Sequence, residues 1–181
     1  MTTDDELRRM TIGEPRRHDA PIALVEYDPA WPLLYAREAD RIRAALGDRV
    51  VLLEHTGSTS VPGLAAKPII DMTLAVADTT AEGDYVPPLE AAGYVLRIRE
   101  PDWYEHRMLR GTDPEVNLHV FSTGCEEIGR MLRFRDRLRS SPEDRALYLA
   151  RKRELATRTW RYTQNYADAK SAVVAEILAR G

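Results

Sequence analysis

The amino-acid sequence predicts an α+β protein with a mixed, mostly antiparallel β-sheet, a flanking helix and a C-terminal helical segment. Polar and apolar residues alternate in several short runs before residue 124, which is typical of half-buried strands. After residue 125 the apolar residues recur every three or four positions, which indicates amphipathic helices. With 181 residues, the chain suits one domain rather than two. We expect a mobile arm at 1–20, with a docked segment as the alternative, and a single domain at 21–181, comprising a sheet core at 21–124 and a helical part at 125–181.

The order of the predicted elements follows from the turn signals between these runs. The first half reads as an extended segment at 22–27, a helix at 28–46 that begins with the pair Asp28 and Pro29, and a strand at 49–55. A second strand follows Pro68, then a short helix at 86–92 and a strand meander at 94–99, 104–110 and 116–121. Three helices complete the chain, the first from 126, the second introduced by Pro142 and the third from about 165. We therefore expect a sheet of about five strands.

The loop between the first two strands has the composition of an anion-binding site. Residues 55–71 read HTGSTSVPGLAAKPIID. Gly57 permits a tight turn that leaves backbone amides uncovered, and Ser58 and Thr59 add hydroxyl donors, which together suit a phosphate group. Lys67 adds a positive charge, and the alternation of the second strand points Asp71 away from the core. A plain tight turn is the structural alternative for this loop.

The run EHTGSTSVPGLAAKPIID resembles the signature of the GrpB family, which is placed by similarity within the nucleotidyltransferase-fold superfamily. The runs VEYDPAWP near the start, LHV at 118–120, FRDRLR at 134–139 and YADAK near the end also resemble the family, so the resemblance covers residue 22 to the end. It implies a nucleotidyltransferase-like sheet with a helical tail. It also implies a protein that binds a nucleotide or another phosphate ligand with a divalent metal, and that transfers a nucleotidyl group to a small acceptor.

Nucleotidyl transfer needs a loop for the triphosphate and carboxylates that hold Mg²⁺ or Mn²⁺. On this hypothesis Asp71 and Lys67 are the catalytic residues, and Asp71 and His119 are the metal ligands. In the wider superfamily the carboxylates come as a pair two residues apart on one strand, whereas this sequence has Thr73 in the second place. Because a hydroxyl is a weak neutral ligand, the metal would depend on Asp71 with help from Glu115, His119 or the bound phosphates. The alternative is therefore a non-catalytic binding or folding-assistance module.

Charge is distributed unevenly along the chain. Residues 125–181 carry a net charge of +5, and residues 1–124 carry a net charge of −8. Arg135, Lys152 and Lys170 lie on or beside the inward stripes of the predicted C-terminal helices. We expect these three side chains to close over an anionic ligand on the sheet face that carries Asp71. A solvated basic helix face is the common alternative.

Composition and the absence of certain motifs argue against several other classes of protein. The chain has no long uncharged apolar run and no apolar segment like that of a signal peptide, so we expect a cytoplasmic protein without membrane association. The single cysteine, Cys125, excludes an internal disulfide and an all-cysteine metal site. The loop lacks the Gly-Lys-Ser/Thr ending of a P-loop, and there is no G-x-S-x-G or CxxC motif. The expected partner is a nucleotide or another phosphate-bearing small molecule; nucleic-acid binding is not indicated, and the oligomeric state and the acceptor stay open.

Overall fold

The structure, a computed structural model, describes residues 1–180. Within that range the chain forms seven α-helices and five β-strands. The helices are α1 (Asp4–Met10), α2 (Trp31–Leu46), α3 (Glu82–Ala91), α4 (Glu126–Ser140), α5 (Pro142–Ala156), α6 (Thr163–Asp168) and α7 (Ser171–Leu178). The strands are β1 (Leu52–Thr56), β2 (Ile70–Val76), β3 (Val95–Glu100), β4 (His106–Thr112) and β5 (Glu115–Ser122).

The five strands form one mixed sheet in the order β1-β2-β5-β4-β3. Strands β2 and β5 run parallel at the centre, with Asp71 opposite Asn117 and Thr73 opposite His119. All other neighbours in the sheet are antiparallel, and β3, β4 and β5 form the predicted meander. The predicted α+β class is therefore confirmed, with its mixed, mostly antiparallel sheet, its flanking helix and its C-terminal helical segment.

One face of the sheet packs against α2 and α3. Met72 of β2 and Leu118 of β5 are fully buried there with Ile42 of α2. Burial of a side chain of this size contributes about 1.5–3 kcal/mol to stability. Because neighbouring residues of a strand point to opposite faces, this packing places Asp71 and Asn117 on the other face of the sheet.

The C-terminal helices pack against that other face and against the segment that follows β1. Ile128 of α4 contacts Ala75 and Phe121 of the sheet. Tyr148 of α5 and Ile177 of α7 belong to a separate buried cluster that includes Val61 and Leu64, from the chain just after the β1 loop, and that is completed by Leu138 and Val173. Within residues 1–180, no helix combines the length and the apolar character needed to cross a membrane.

Element boundaries differ from the sequence prediction at several places. Helix α2 begins at Trp31 rather than at Asp28, with Pro32 instead of Pro29 in its first turn. The first strand begins at Leu52 rather than at 49, because Gly47–Arg49 forms a 3₁₀ turn after α2. Helix α3 begins at Glu82, so that its two prolines lie inside the helix rather than near its start. The third predicted C-terminal helix is two short helices, because the chain makes a tighter turn at Lys170, whose N–H donates to the carbonyl of Ala167.

The N-terminal residues contact the domain at several points. Helix α1 begins at a capping box formed by Thr3 and Glu6, and Leu7 on this helix is buried. Thr11 pairs with Ile98 next to β3 as an isolated bridge. The structure therefore favours the docked alternative for residues 1–20 over a mobile arm. A seven-residue helix is too short for its periodicity to be read from the sequence.

Candidate functional site

Gly57 turns the chain out of β1 and lies directly against Asp71. Its φ is +65°, a conformation that glycine adopts without strain. A Cβ placed on Gly57 would lie 2.3 Å from Asp71 Oδ2 and 2.8 Å from Asp71 Cβ. A larger residue at position 57 therefore requires Asp71 to move, and the shape of the loop and the position of the carboxylate are linked.

The hydroxyl groups of the loop have different partners. Thr59 is buried, and its hydroxyl lies 3.0 Å from His55 Nε2 and donates to the carbonyl of Ile69. The Ser60 hydroxyl donates to the carbonyl of Gly57 at 2.6 Å. Ser58 is partly exposed. Of the two hydroxyls predicted to bind phosphate, that of Ser58 lies beside the Tyr148 hydroxyl, and that of Thr59 is engaged in bonds that shape the loop.

Asp71 has one defined hydrogen-bond donor from the sheet. Its Oδ1 accepts from Asn117 Nδ2 at 2.9 Å, across the parallel β2–β5 register. The second oxygen, Oδ2, is the atom closest to Gly57. The alternation of β5 places Asn117 on this face, but no sequence pattern indicates that its amide orients the carboxylate.

All three lysines of the chain lie around Asp71. The chain has 23 arginines and only three lysines, Lys67, Lys152 and Lys170. Lys67 follows the loop, Lys152 is on α5, and Lys170 is at the junction of α6 and α7. Each of the three interacts electrostatically with the Asp71 carboxylate. Cations that converge from three separate segments indicate a site rather than a solvated helix face.

These amines have few partners in the protein. Lys152 is 2% exposed and donates to the carbonyl of Ala65 at 2.6 Å. Within residues 1–180, Lys67 and Lys170 make no hydrogen bond or ion pair through their ammonium groups, which lie 5.9 and 4.7 Å from the centre of the Tyr166 ring. Three amines with one carboxylate leave an excess of positive charge in a largely buried place, which an anionic ligand would neutralise.

Burial lowers the pKa of every amine in this group. Burial and repulsion from Lys170 together lower the pKa of Lys152 to about 7, and the same two causes lower the pKa of Lys67 to about 8, although Asp71 acts in the opposite direction. Burial also holds the pKa of Lys170 below its ordinary value. An arginine could not lose its proton in this way, so lysine is the basic residue whose charge such a site can adjust.

Two buried tyrosines lie beside the lysines. The ring of Tyr148 is 5.3 Å from the Lys152 ammonium, and burial raises the pKa of the Tyr148 hydroxyl to about 12. The hydroxyl of Tyr166, a residue that is 1% exposed, has no hydrogen-bond partner within residues 1–180. Buried hydroxyls usually have a partner, so a ligand acceptor would satisfy this one. The sequence had no signal for this role, because both tyrosines fall on apolar stripes.

Arg135 does not join the lysines. Its guanidinium pairs with Glu54 at 2.7 Å and with Asp136 at 2.8 Å, and it donates to the carbonyl of His55. Of the residues predicted to bind the ligand, the structure brings together Gly57, Ser58, Lys67, Lys152 and Lys170 around Asp71. The remaining two, Thr59 and Arg135, have their polar groups engaged elsewhere.

His119 lies on the same sheet face as Asp71, one step further along β5. Its Nδ1 is 3.0 Å from His106 Nε2, and His106 Nδ1 is 2.7 Å from Glu100 Oε2. Burial, followed by repulsion from His106, lowers the pKa of His119 to about 4, so the ring is neutral near pH 7. The sequence pattern placed His119 on this face but could not identify His106 and Glu100 as its neighbours.

The donor groups around Asp71 fit a divalent metal poorly. Mg²⁺ prefers six oxygen ligands, and residues 1–180 contain no group of three His, Cys, Asp or Glu side chains that could hold a metal. The hydroxyl of Thr73, in the place of a second carboxylate, is buried and contacts Thr56 Oγ1 at 2.9 Å. The surrounding lysines also repel a cation. The predicted Mg²⁺ or Mn²⁺ would have to take most of its ligands from a bound phosphate group.

The chain is similar in sequence to one family over nearly its whole length. A sequence profile described as GrpB protein matches residues 21–180. A UPF0157 protein of Halalkalibacterium halodurans is 58% identical over 178 residues, which cover 98% of this chain and 91% of that protein. A dephospho-CoA kinase of Mycolicibacterium paratuberculosis is 34% identical over 165 residues, which cover 77% of this chain and 40% of the kinase.

Solved structures show the same similarity. The conserved protein GrpB of Enterococcus faecalis superposes with a TM-score of 0.75 at 31% identity, covering 87% of this chain and 98% of that one. The Cid1 poly(U) polymerase superposes with a TM-score of 0.49 at 11% identity, covering 72% of this chain and 43% of the polymerase. A likeness as weak as the second carries no argument about function.

Proposed function

The chain belongs to the GrpB protein family, and we propose that it binds a nucleotide or another phosphate-bearing small molecule in the site around Asp71. The observation that carries this proposal is the gathering of Lys67 and Lys170 at the Tyr166 ring and of Lys152 at the Tyr148 ring, near a single carboxylate, that of Asp71. Buried amines without acidic partners are costly, and a bound anion removes that cost. Phosphate, with several charged oxygens, is well matched to several ammonium groups.

The loop and the orphaned hydroxyl support the same class of ligand. Gly57 lets Asp71 lie directly against the loop, Ser58 has its hydroxyl beside that of Tyr148, and Tyr166 offers a buried donor without a partner within residues 1–180. A phosphate-bearing ligand could accept hydrogen bonds from both hydroxyls while the lysines neutralise its charge. Asp71 and Asn117 would then face the uncharged part of the ligand, where a carboxylate can accept a hydrogen bond from a hydroxyl group. The name of the dephospho-CoA kinase relative, that of a phosphate-handling protein, agrees with this class of ligand.

A thermal-shift and calorimetric panel tests the proposal. We expect pyrophosphate and at least one of the four nucleoside triphosphates to raise the melting temperature in low salt with EDTA present, because the lysines rather than a metal provide the positive charge. A ligand at about 100 times its Kd stabilises by about 2.7 kcal/mol, or roughly 5–10 °C for a domain of this size. A protein that responds to no phosphate compound, with or without Mg²⁺ or Mn²⁺, would contradict the proposal. A shift that requires the metal would support the sequence prediction of a metal cofactor.

Nucleotidyl transfer to a small acceptor is the second candidate function. The observation that favours it is Asp71 itself, an outward carboxylate held beside the phosphate-suited loop by Asn117. Lys67, the other predicted catalytic residue, would act as a cation toward the phosphates. A binding module that lacks catalysis needs the lysines but not the carboxylate, so the two functions differ in what they require of Asp71.

Asp71→Asn separates these two functions. The variant removes one negative charge and keeps an acceptor for Asn117, so the fold should survive. In a binding module we expect the affinity for pyrophosphate in EDTA to rise severalfold, because the repulsion between the carboxylate and the anion is gone. In a nucleotidyltransferase, turnover of a nucleoside triphosphate with Mg²⁺ or Mn²⁺ should fall at least 100-fold. Asp84→Asn, on the surface helix α3, is the matched control and should change neither quantity.

A further inference from the structure

A cavity of about 410 Å³ lies apart from the lysine site, between the start of α2 and the helices α4 and α5. Neither Asp71 nor any of the three lysines lines it. Its volume is within the range of small-molecule pockets, roughly 300–1,000 Å³. The wall is made by Tyr27, Pro32, Tyr35, Glu54, His55, Ser60, Pro62, Arg135, Arg139 and Arg145. We call this the arginine cavity.

Three guanidinium groups line the arginine cavity, and they have few acidic partners. Arg135 is paired with Glu54 and with Asp136. Arg139 Nη1 is 3.6 Å from the carboxylate of Asp136, beyond hydrogen-bond distance, and Arg145 has no carboxylate within 4.0 Å among residues 1–180. The cavity therefore has an excess of positive charge.

Backbone carbonyls hold these guanidinium groups in place. Arg135 donates to His55 O at 3.1 Å, Arg139 donates through Nε to Ser60 O at 3.0 Å, and Arg145 donates through Nη1 to Leu138 O at 3.1 Å. Within residues 1–180, the Nη2 group of each arginine has no hydrogen-bond partner. A guanidinium that is fixed by some of its five N–H groups and keeps others free is suited to receive a carboxylate or a phosphate.

Other residues that line the cavity are aromatic and uncharged. Tyr35 stacks on His55 with ring centres 4.8 Å apart and an interplanar angle of 6°. Burial lowers the pKa of His55 to about 4, so this ring adds no charge near pH 7. Tyr27 and two prolines complete the wall. An occupant would therefore meet both positive charge and apolar or planar surface.

We propose that the arginine cavity binds a second small organic anion, with a phosphate or carboxylate group on Arg139 and Arg145 and an apolar or planar part on Tyr27 and Tyr35. This site is distinct from the lysine site and goes beyond the proposed function. Both sites use the loop that follows β1. Ser60 and His55 line the arginine cavity, while Gly57 and Ser58 lie at the lysine site. The fold thus presents two anion sites on one loop.

Calorimetry with phenyl phosphate and benzoate tests this proposal, after saturation of the protein with pyrophosphate to occupy the lysine site. We expect one further molecule of at least one probe to bind, and the relative affinities of the two probes show whether a phosphate or a carboxylate is preferred. Arg139→Gln with Arg145→Gln should weaken this binding at least tenfold. Lys170→Met should weaken pyrophosphate binding and leave probe binding to the arginine cavity unchanged, so failure at one site is distinguishable from failure at the other.

Two outcomes would overturn the proposal. One is a wild-type protein that binds neither probe in addition to pyrophosphate, which would assign the arginines to holding the loop and the end of α4. The other is a pair of arginine substitutions that leaves probe binding intact. If the double variant does not fold, the single variant Arg145→Gln and the wild-type protein still test the proposal. The binding of one probe molecule in addition to pyrophosphate is measured on the wild-type protein, without any substitution.

Discussion

Gly57→Ala is expected to destabilise the protein and to abolish most phosphate binding. Two separate effects act at this position. A side chain at φ +65° and ψ −172° costs about 1–3 kcal/mol, and the new Cβ would lie within 3 Å of three atoms of Asp71. Because the Cβ of Asp71 is among these atoms, rotation of the carboxylate alone does not relieve the overlap. We expect a loss of about 2–4 kcal/mol of stability and at least a tenfold loss of affinity for pyrophosphate; Gly57→Val should be more severe.

Gly63→Ala provides the control for Gly57→Ala. Gly63 also has a positive φ, +76°, but a Cβ placed there has no atom within 4 Å. The control variant should therefore show the backbone cost alone, with affinity for pyrophosphate unchanged. Urea unfolding and calorimetry measure the two quantities. If both variants lose the same stability and keep their affinity, the loop is an ordinary turn and the contact with Asp71 has no role in binding.

Lys170→Met is expected to change stability and affinity in opposite directions. The ammonium group of Lys170 lies over the Tyr166 ring without a hydrogen bond within residues 1–180, so its removal leaves no protein group unpaired. Replacing an unpaired buried charge with an apolar side chain of similar length should raise the stability of the free protein by about 1–2 kcal/mol. The same change should weaken pyrophosphate binding by about 10- to 100-fold, since a hydrogen bond to a charged group is worth about 1.5–3 kcal/mol.

Arg153→Met is the matched control for the lysine variant. Arg153 lies next to Lys152 on α5, and it is exposed, with a surface ion pair to Glu26. Its removal should shift both stability and affinity by only a few tenths of a kcal/mol. A Lys170→Met protein that is less stable than the wild type and binds pyrophosphate equally well would show that Lys170 is a structural residue.

Much of the fold could be predicted from the sequence, because strand alternation and turn residues are visible within a few consecutive positions. In β2 and β5 the alternation of polar and apolar residues indicated that Met72 and Leu118 lie on the buried face. The turn signals within 99–115 indicated the meander. The docking of residues 1–20 and the break at Lys170 could not be predicted in the same way. The docking depends on contacts with distant segments, such as the hydrogen bond from Thr2 N to Asp168, whereas the break is one tighter local turn at Lys170.

Site residues could be predicted when their position depends only on the periodicity of the helix or strand that carries them. Strand periodicity places Asp71 on the sheet face that points away from the core, helix periodicity turns Lys152 inward, and the structure places both together with Lys67. Arg135 satisfied the same periodicity, yet it points to Glu54, because α4 and β1 come together only in three dimensions. Asn117 was missed as a site residue for the same reason, because its partner Asp71 lies at least 45 residues away in the sequence. Tyr166 was missed because the sequence cannot show that its buried hydroxyl has no hydrogen-bond partner within residues 1–180.

Proton uptake on anion binding shows whether the lysines around Asp71 bind the ligand. In the free protein the pKa of Lys152 is about 7 and that of Lys67 about 8, below the ordinary value of 10.5. The unfolded chain therefore holds more protons than the free folded protein. For this reason the free energy of unfolding of the ligand-free protein should rise with pH from about 7 toward 10.5. A bound anion reverses these shifts, and binding should take up protons.

Sulfate is the suitable probe, because it does not titrate in this range. Calorimetry at pH 8 in two buffers of different ionisation enthalpy should show the uptake of about one proton per sulfate, and the affinity should fall as pH rises from 7 to 9, by up to about tenfold per pH unit for each proton taken up. Lys152→Met should greatly reduce the uptake. Binding of sulfate without proton uptake, or an affinity that is constant from pH 7 to pH 9, would contradict the assignment of the lysines to the site.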